Sequence, residues 1–199
     1  TSLDFTREFY LEIDRRFFSN SWEYSPWEKI PFDRIIDFQS LADKDALEIG
    51  IGMGSHAQLL APRAKSFTGI DLTDYSVRSV TKRFEIFGLK GEIYKMDAEN
   101  LDFPSNSFDL VFAWGVLHHS ANTRRAIEEI WRVLRTGGEL ITMVYHRGWW
   151  NYYIIGTARS IFSGDLIKTG SLHKSIQLHT DGAIDRYYTA REWRDLVQE

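Results

Sequence analysis

The sequence predicts an α/β fold, a parallel sheet with helices on both faces. Three observations point to it. Between residues 45 and 146, short apolar runs alternate with stretches of helical periodicity, as parallel strands joined by right-handed crossovers require. One run, residues 46–49, leads straight into Gly50-Ile51-Gly52-Met53-Gly54. Glycines between a strand and a helix let the backbone turn tightly and approach a ligand that a Cβ would block. Finally, 199 residues that are 43% hydrophobic and 26% charged suit one globular domain, burying roughly 70% of its unfolded surface.

The elements follow in order. Phe5, Phe9, Ile13 and Phe17 share one helical face, with Asp4 as candidate cap. A bend runs from Ser19 to Pro26, and a short helix follows near residues 33–37. Residues 46–49 are the first strand and 55–64 a helix. Residues 66–70 are the second strand, closed by Asp71. Residues 73–87 form a helix with Val77, Val80, Phe84 and Phe87 inward, stopped by Gly88. The third strand is 92–96, followed by Asp97, and the fourth is 108–113. A helix over 122–134 ends at Gly137-Gly138, and 139–144 is the fifth strand. Residues 181–198 read as a loop and a helix with a Thr189/Glu192 capping box. Three regions result: a helical cap segment (1–44), a ligand-binding domain (45–146) and an aromatic lid or tail (147–199).

Composition excludes several classes of function. The net charge of −4 offers no basic field for nucleic acid. The absence of cysteine removes disulfides, thiolate metal sites and cysteine nucleophiles. No apolar run approaches the ~18 residues of a membrane span and no signal peptide is visible, so no span and a cytoplasmic location are expected. A G-x-S-x-G elbow and a phosphate P-loop are both absent.

The glycine loop narrows the ligand. Its third glycine comes one position too early for a dinucleotide fingerprint. Glu48, two residues before Gly50, would repel a pyrophosphate but suits a ligand with a positive group. Asp71, ending the second strand, can accept both ribose hydroxyls. That position is shared with nicotinamide sites, so a nicotinamide-dependent oxidoreductase stays open here.

Glu48-Ile-Gly-Ile-Gly-Met-Gly-Ser55 resembles motif I of the class I S-adenosylmethionine-dependent methyltransferases. Later segments agree in order: Asp71-Leu72, Asp97-Ala98-Glu99, residues 101–112 (LDFPSNSFDLVF), residues 113–119 (AWGVLHH) and residues 129–138 (EIWRVLRTGG). The resemblance covers residues 45–146. It is closest to the small-molecule group that includes ubiquinone and menaquinone C-methyltransferases. It implies a Rossmann-like sheet of strand order 3-2-1-4-5, completed in the family by an antiparallel hairpin. No such pair of strands follows here, so the hairpin is expected to be missing. With no initial Met, the chain reads as most of a methyltransferase lacking its C-terminal edge.

The resemblance also assigns roles. Glu48 would face the ammonium of S-adenosylmethionine, and Gly50, Gly52 and Gly54 would pass its methionyl arm and ribose. Asp71 would clamp the ribose and Leu72 pack on the adenine, whose amino group Asp97 and ring the Ala98 N–H would read. Ala113 and Trp114 would sit under the methionyl moiety. His118, His119 and His146 are candidate bases or acceptor-positioning groups. Tyr10, Trp22, Tyr145 and Trp149 are candidate contacts to a planar or apolar small-molecule acceptor, held between the N-terminal helix and the segment after the fifth strand. No metal site is expected, because neighbouring histidines diverge on a helix and no third ligand has a supporting spacing. The stretch after the fourth strand reads Ala113-Trp114-Gly115-Val116, not the Pro-Pro motif of amino-methylating enzymes. A non-catalytic cofactor-binding module is the alternative from another class.

Overall fold

The computed structural model describes residues 5–21, 30–177 and 185–198, without the side chains of 20, 21 and 149–151. The expected sheet is there. Strands β1 (Asp45–Ile49), β2 (Ser66–Asp71), β3 (Glu92–Lys95), β4 (Phe108–Trp114) and β5 (Leu134–Met143) are all parallel, in the order β3-β2-β1-β4-β5. Among the described residues the sheet has no sixth strand. The tail instead forms an isolated bridge between His146 and Tyr188, just past the end of β5.

Alternation along the central strands divides the core in two. Ala46, Leu110 and Phe112 face helices α2 (Ser55–Leu60) and α3 (Asp74–Phe87), meeting Ala57, Leu60, Val80 and Phe84. Leu47, Ile49, Val111 and Ala113 face α4 (Thr123–Val133), meeting Ala126, Ile127 and Ile130. Helix α1 (Arg7–Ser21) packs on α2 and α3. Beyond β5 come a π-helical turn (Trp149–Ile155) and three short helices, α5 (Gly156–Phe162), α6 (Asp165–Thr169) and α7 (Leu172–Gln177), packed on one another. Helix α8 (Ala190–Gln198) lies on α4, where Trp131 Nε1 donates to Val197 O at 2.9 Å.

Two local expectations need correction. The buried member of α1 is Tyr10, while Phe17 stays over a third exposed. The helix is anchored by polar contacts as well as by its aromatic face, where Phe5 meets Tyr75 and Phe17 meets Phe32 and His56. Gly137-Gly138 does not end a helix; both residues lie inside β5. Phe108 pairs with Leu134 and Leu110 with Glu139, so β5 carries extra residues there. Arg135 Nη1 holds this irregularity, donating to Asp109 at 2.6 Å and Asp45 at 2.9 Å. Three strands are thereby tied together at the sheet's N-terminal pole.

Candidate functional site

The glycine loop leaves β1 at the sheet's C-terminal pole, beside the point where strand order reverses. Ligands of open α/β sheets bind at that point. Gly50 has φ +75°, and a Cβ there would stand 2.6 Å from Val116 Cγ2. Gly52, at φ +50°, has open space around it, so the backbone angle alone selects glycine. The loop is tied to β2. Gly52 N donates to Asp71 Oδ2 at 3.1 Å, while Thr73 N and Oγ1 donate to Asp71 Oδ1 at 2.9 and 2.8 Å. Thr73 in turn caps α3 through the Ser76 amide. One carboxylate thus fixes both the glycine turn and the start of the next helix.

A cavity of about 140 Å³ opens here. Its walls bring together Gly50, Asp71, Leu72, Asp97, Ala98 and His119, which lie far apart in the chain. Leu72 lines it and is 65% exposed, an apolar side chain at the solvent side of the cavity. Asp97 also shapes its own turn, accepting from Glu99 N at 2.9 Å. Glu99 belongs to a segment singled out in the sequence, which gave it no role of its own. Its Oε1 accepts from Ser120 Oγ at 2.7 Å and Asn122 N at 2.8 Å, bracing the β3 turn against the turn after β4. The Ser120 hydrogen bond, then the Asn122 amide, hold its carboxyl below the ordinary range. No local pattern announces such a brace, because its partners lie over twenty residues away.

Glu48 lies under the glycine loop, 1% exposed. Burial pushes its carboxyl above the usual range, and His56 pulls it part of the way back. His56 Nδ1 is 3.6 Å from Oε1, too long for a hydrogen bond, and Oε2 has no hydrogen-bond partner among the described residues. Around His56 stand Phe112, Phe32 and Phe17 with ring centres 4.8–5.0 Å away, and Trp114 at 6.3 Å. Helix α1 is locked against this region. Asp14 accepts from Ser55 Oγ at 2.7 Å and pairs with Arg83, which is fully buried and also donates to Met53 O and Gln58 Oε1 at 3.0 Å.

The other candidates are distributed unevenly. Tyr10 is fully buried, its hydroxyl donating to Ser79 O at 2.6 Å, in the α1–α3 contact rather than in the cavity wall. Ala113 is buried on the α4 side, and Trp114 stacks on Phe112 at 5.8 Å on the other. His118 is fully buried with Tyr145 3.9 Å from its ring centre. His146 is exposed in the tail bridge. Trp22 and the Trp149 side chain lie outside the described residues. Among those described, donor atoms of His118, His119 and Asp185 come within 4.8 Å of one another. Sequence spacing could not show this third group. A larger groove of about 650 Å³, including Lys65, Phe67 and Gly91, lies where β2 and β3 begin, at the wrong pole for a ligand site of this sheet.

Residues 47–142 match the family described as Methyltransferase domain. Phthiotriol/phenolphthiotriol dimycocerosates methyltransferase of Mycobacterium leprae is 38% identical over 103 residues, 51% of this chain and 37% of its own. Phosphatidylethanolamine N-methyltransferase of Cereibacter sphaeroides is 35% identical over 97 residues, 48% of this chain and 47% of its own. Residues 47–142 are a class I S-adenosylmethionine-dependent methyltransferase domain. The chain spans less than half the length of these curated relatives. Among solved structures, the YcgJ protein of Bacillus subtilis shares the fold of the methyltransferase domain and its flanks. It has a TM-score of 0.63 at 20% identity, covering 80% of this chain and 63% of that one. The [4+2]-cyclase SpnF aligns at 30% identity and TM-score 0.51, over 54% of this chain and 41% of its own.

The methyltransferase domain fits the cofactor its family uses. Glu48 Oε2 is a buried acceptor awaiting a donor, and the backbone at Gly50 and Gly52 presents no side chain to a ligand. Asp71 and Asp97 line a cavity together with the exposed Leu72.

Proposed function

We propose that this chain transfers a methyl group from S-adenosylmethionine to a small-molecule acceptor. The observation that carries the reading is the cavity at the sheet's reversal point, where Gly50, Asp71, Leu72, Asp97 and Ala98 converge. Bound S-adenosylmethionine would supply an activated methyl group, transferred by in-line displacement. The protein's residues do the rest. Asp71 would accept the ribose hydroxyls, Leu72 cover the adenine, and Asp97 with the Ala98 N–H read its edge. Glu48 Oε2 would take the ammonium in a dry site, where a carboxylate-to-cation hydrogen bond is strong. Alignment of well-placed reactants contributes on the order of 7–11 kcal/mol, so a sparse set of catalytic groups is enough.

A second cavity, walled by aromatic and charged side chains including Glu192, supports a planar acceptor that also carries polar groups. It measures about 480 Å³, and its walls include Arg147, Tyr152, His173, Arg186, Tyr187 and Tyr188. Tyr152 Oη and His173 Nδ1 stand 2.9 Å apart. The two named relatives are, by their names, methyltransferases of phthiotriol or phenolphthiotriol dimycocerosates and of phosphatidylethanolamine, and Phe162 and Ile167 leave apolar surface on the helices beyond β5. No helix of the described residues is long and apolar enough to cross a membrane.

Calorimetric titration with S-adenosylhomocysteine and with NADH tests the cofactor, and a mass-spectrometric acceptor screen tests the transfer. Binding of S-adenosylhomocysteine alone and a methylated product are expected. NADH binding in its place overturns the proposal. The SpnF likeness favours a second reading, since a protein named a cyclase shares this frame. Cofactor binding with acceptors converted but unmethylated would select it.

A further inference from the structure

His119 stands between the two cavities. It forms part of the first cavity's wall together with Ser120. Tyr145 lies against His118 and His119 at 3.9 and 5.8 Å and reaches Tyr187, in the second cavity's wall, at 5.4 Å. Asp185 approaches from the tail. Its Oδ1 is 2.8 Å from His119 Nδ1, and it is fully buried while the His119 side chain is 25% exposed. The next residue fixes this approach. Arg186 N donates to His118 O at 3.0 Å, and its guanidinium donates to Ser120 O and Ala121 O. The tail therefore grips the histidine turn on both sides of His119.

A buried carboxylate demands a donor, because its desolvation is otherwise uncompensated. The 2.8 Å approach of His119 Nδ1 to Asp185 Oδ1 favours the proton on that nitrogen, which leaves Nε2 as the basic one. We propose that Asp185 is a positioning residue: it holds His119 as the Nδ1-protonated tautomer, so that Nε2 receives the proton of an acceptor lying between the two cavities. This rests on the methyl-transfer reading above. As an N–H or O–H acceptor bonds to the methyl carbon, the S–C bond breaks and its electron pair stays on sulfur. The acceptor's proton passes to Nε2, and Asp185 stabilises the resulting imidazolium until the proton leaves to water.

Geometry disfavours a metal ion in the same cluster. The rings of His118 and His119 are packed with centroids 4.0 Å apart. Two imidazoles at ~2.0–2.1 Å from one tetrahedral ion would diverge by about 109°, which spreads their centres further.

The test is long-range ¹H–¹⁵N spectroscopy of histidine-labelled whole chain saturated with S-adenosylhomocysteine, at a pH where the ring is neutral. Wild-type His119 is expected with Nδ1 protonated and Nε2 bare. In Asp185→Asn the amide can donate to Nδ1, and the tautomer reverses. An Nε2-protonated ring in the wild type overturns the proposal, whether or not the variant folds. So does a zinc titration showing a tight site that Asp185→Asn abolishes. On an acceptor found in the screen, Asp185→Asn is expected to lower kcat by about 10²–10⁴ with the KM for S-adenosylmethionine unchanged. A loss confined to KM assigns Asp185 a structural role and overturns the proposal. Failure of S-adenosylhomocysteine to bind the wild type sinks the methyltransferase reading separately, because the tautomer is read from the protein itself.

Discussion

Replacing Gly50 by alanine separates two reasons for a glycine, and Gly52 is its control. Both residues sit at positive φ, +75° and +50°, where an L side chain costs about 1–2 kcal/mol. They differ in surroundings. A Cβ on Gly50 would lie 2.6 Å from Val116 Cγ2 and 2.8 Å from Val116 Cβ, whereas nothing stands within 4 Å of one on Gly52. Overpacking of this kind adds about 1–3 kcal/mol. Gly50→Ala should therefore cost about 2–5 kcal/mol in urea unfolding and Gly52→Ala about 1–2. Because Val116 is also a wall of the cavity proposed for the cofactor, Gly50→Ala should weaken S-adenosylhomocysteine binding tenfold or more by calorimetry, about 1.4 kcal/mol. Adding Val116→Ala removes the 2.6 Å overlap but keeps the Cβ, so the double variant should recover part of the loss. Equal costs for the two glycines, or strict additivity of Gly50→Ala and Val116→Ala, would refute the reasoning.

Three further outcomes are expected. Asp71→Ala should lower S-adenosylhomocysteine affinity by about 10- to 100-fold, the weight of a lost charge-assisted hydrogen bond; unchanged binding in calorimetry would remove the ribose assignment. Glu48 holds its proton more tightly than an ordinary carboxyl because of burial. An ammonium needs the ionised form, so wild-type affinity should rise as pH increases through the Glu48 titration, with proton release on binding. Glu48→Gln should flatten that dependence, as titrations in buffers of different ionisation enthalpy would show. Asp14→Ala strands the buried Arg83 guanidinium without its counter-charge, though its bonds to Gln58 and Met53 and its contacts with the Tyr10 and Phe87 rings remain. About 3 kcal/mol of stability should be lost; a urea midpoint unmoved by this change would mean that α1 is not locked.

The sequence by itself determined the sheet and the pole at which the glycine loop lies. Short, nearly continuous apolar runs at 46–49 and 108–113 must bury both faces, and glycines at 50, 52 and 54 leave a bare turn between strand and helix. Asp71 and Asp97 were legible because strand ends are local features, set by where apolar runs stop. Gly137-Gly138 was misread for the same reason, since local punctuation marks a turn without showing that β-pairing resumes on either side of it. Tyr10 illustrates another limit. Its aromatic ring suits an acceptor site or a core equally well, and only Ser79, 69 residues away, places it in the core. The tertiary structure alone decided the polar constellation: Glu99 bracing Ser120, Asp14 meeting Arg83, Asp185 facing His119. Such pairs leave no periodicity in the chain. A carboxylate and its partner are selected by distance and desolvation, and both exist only once the segments have folded together.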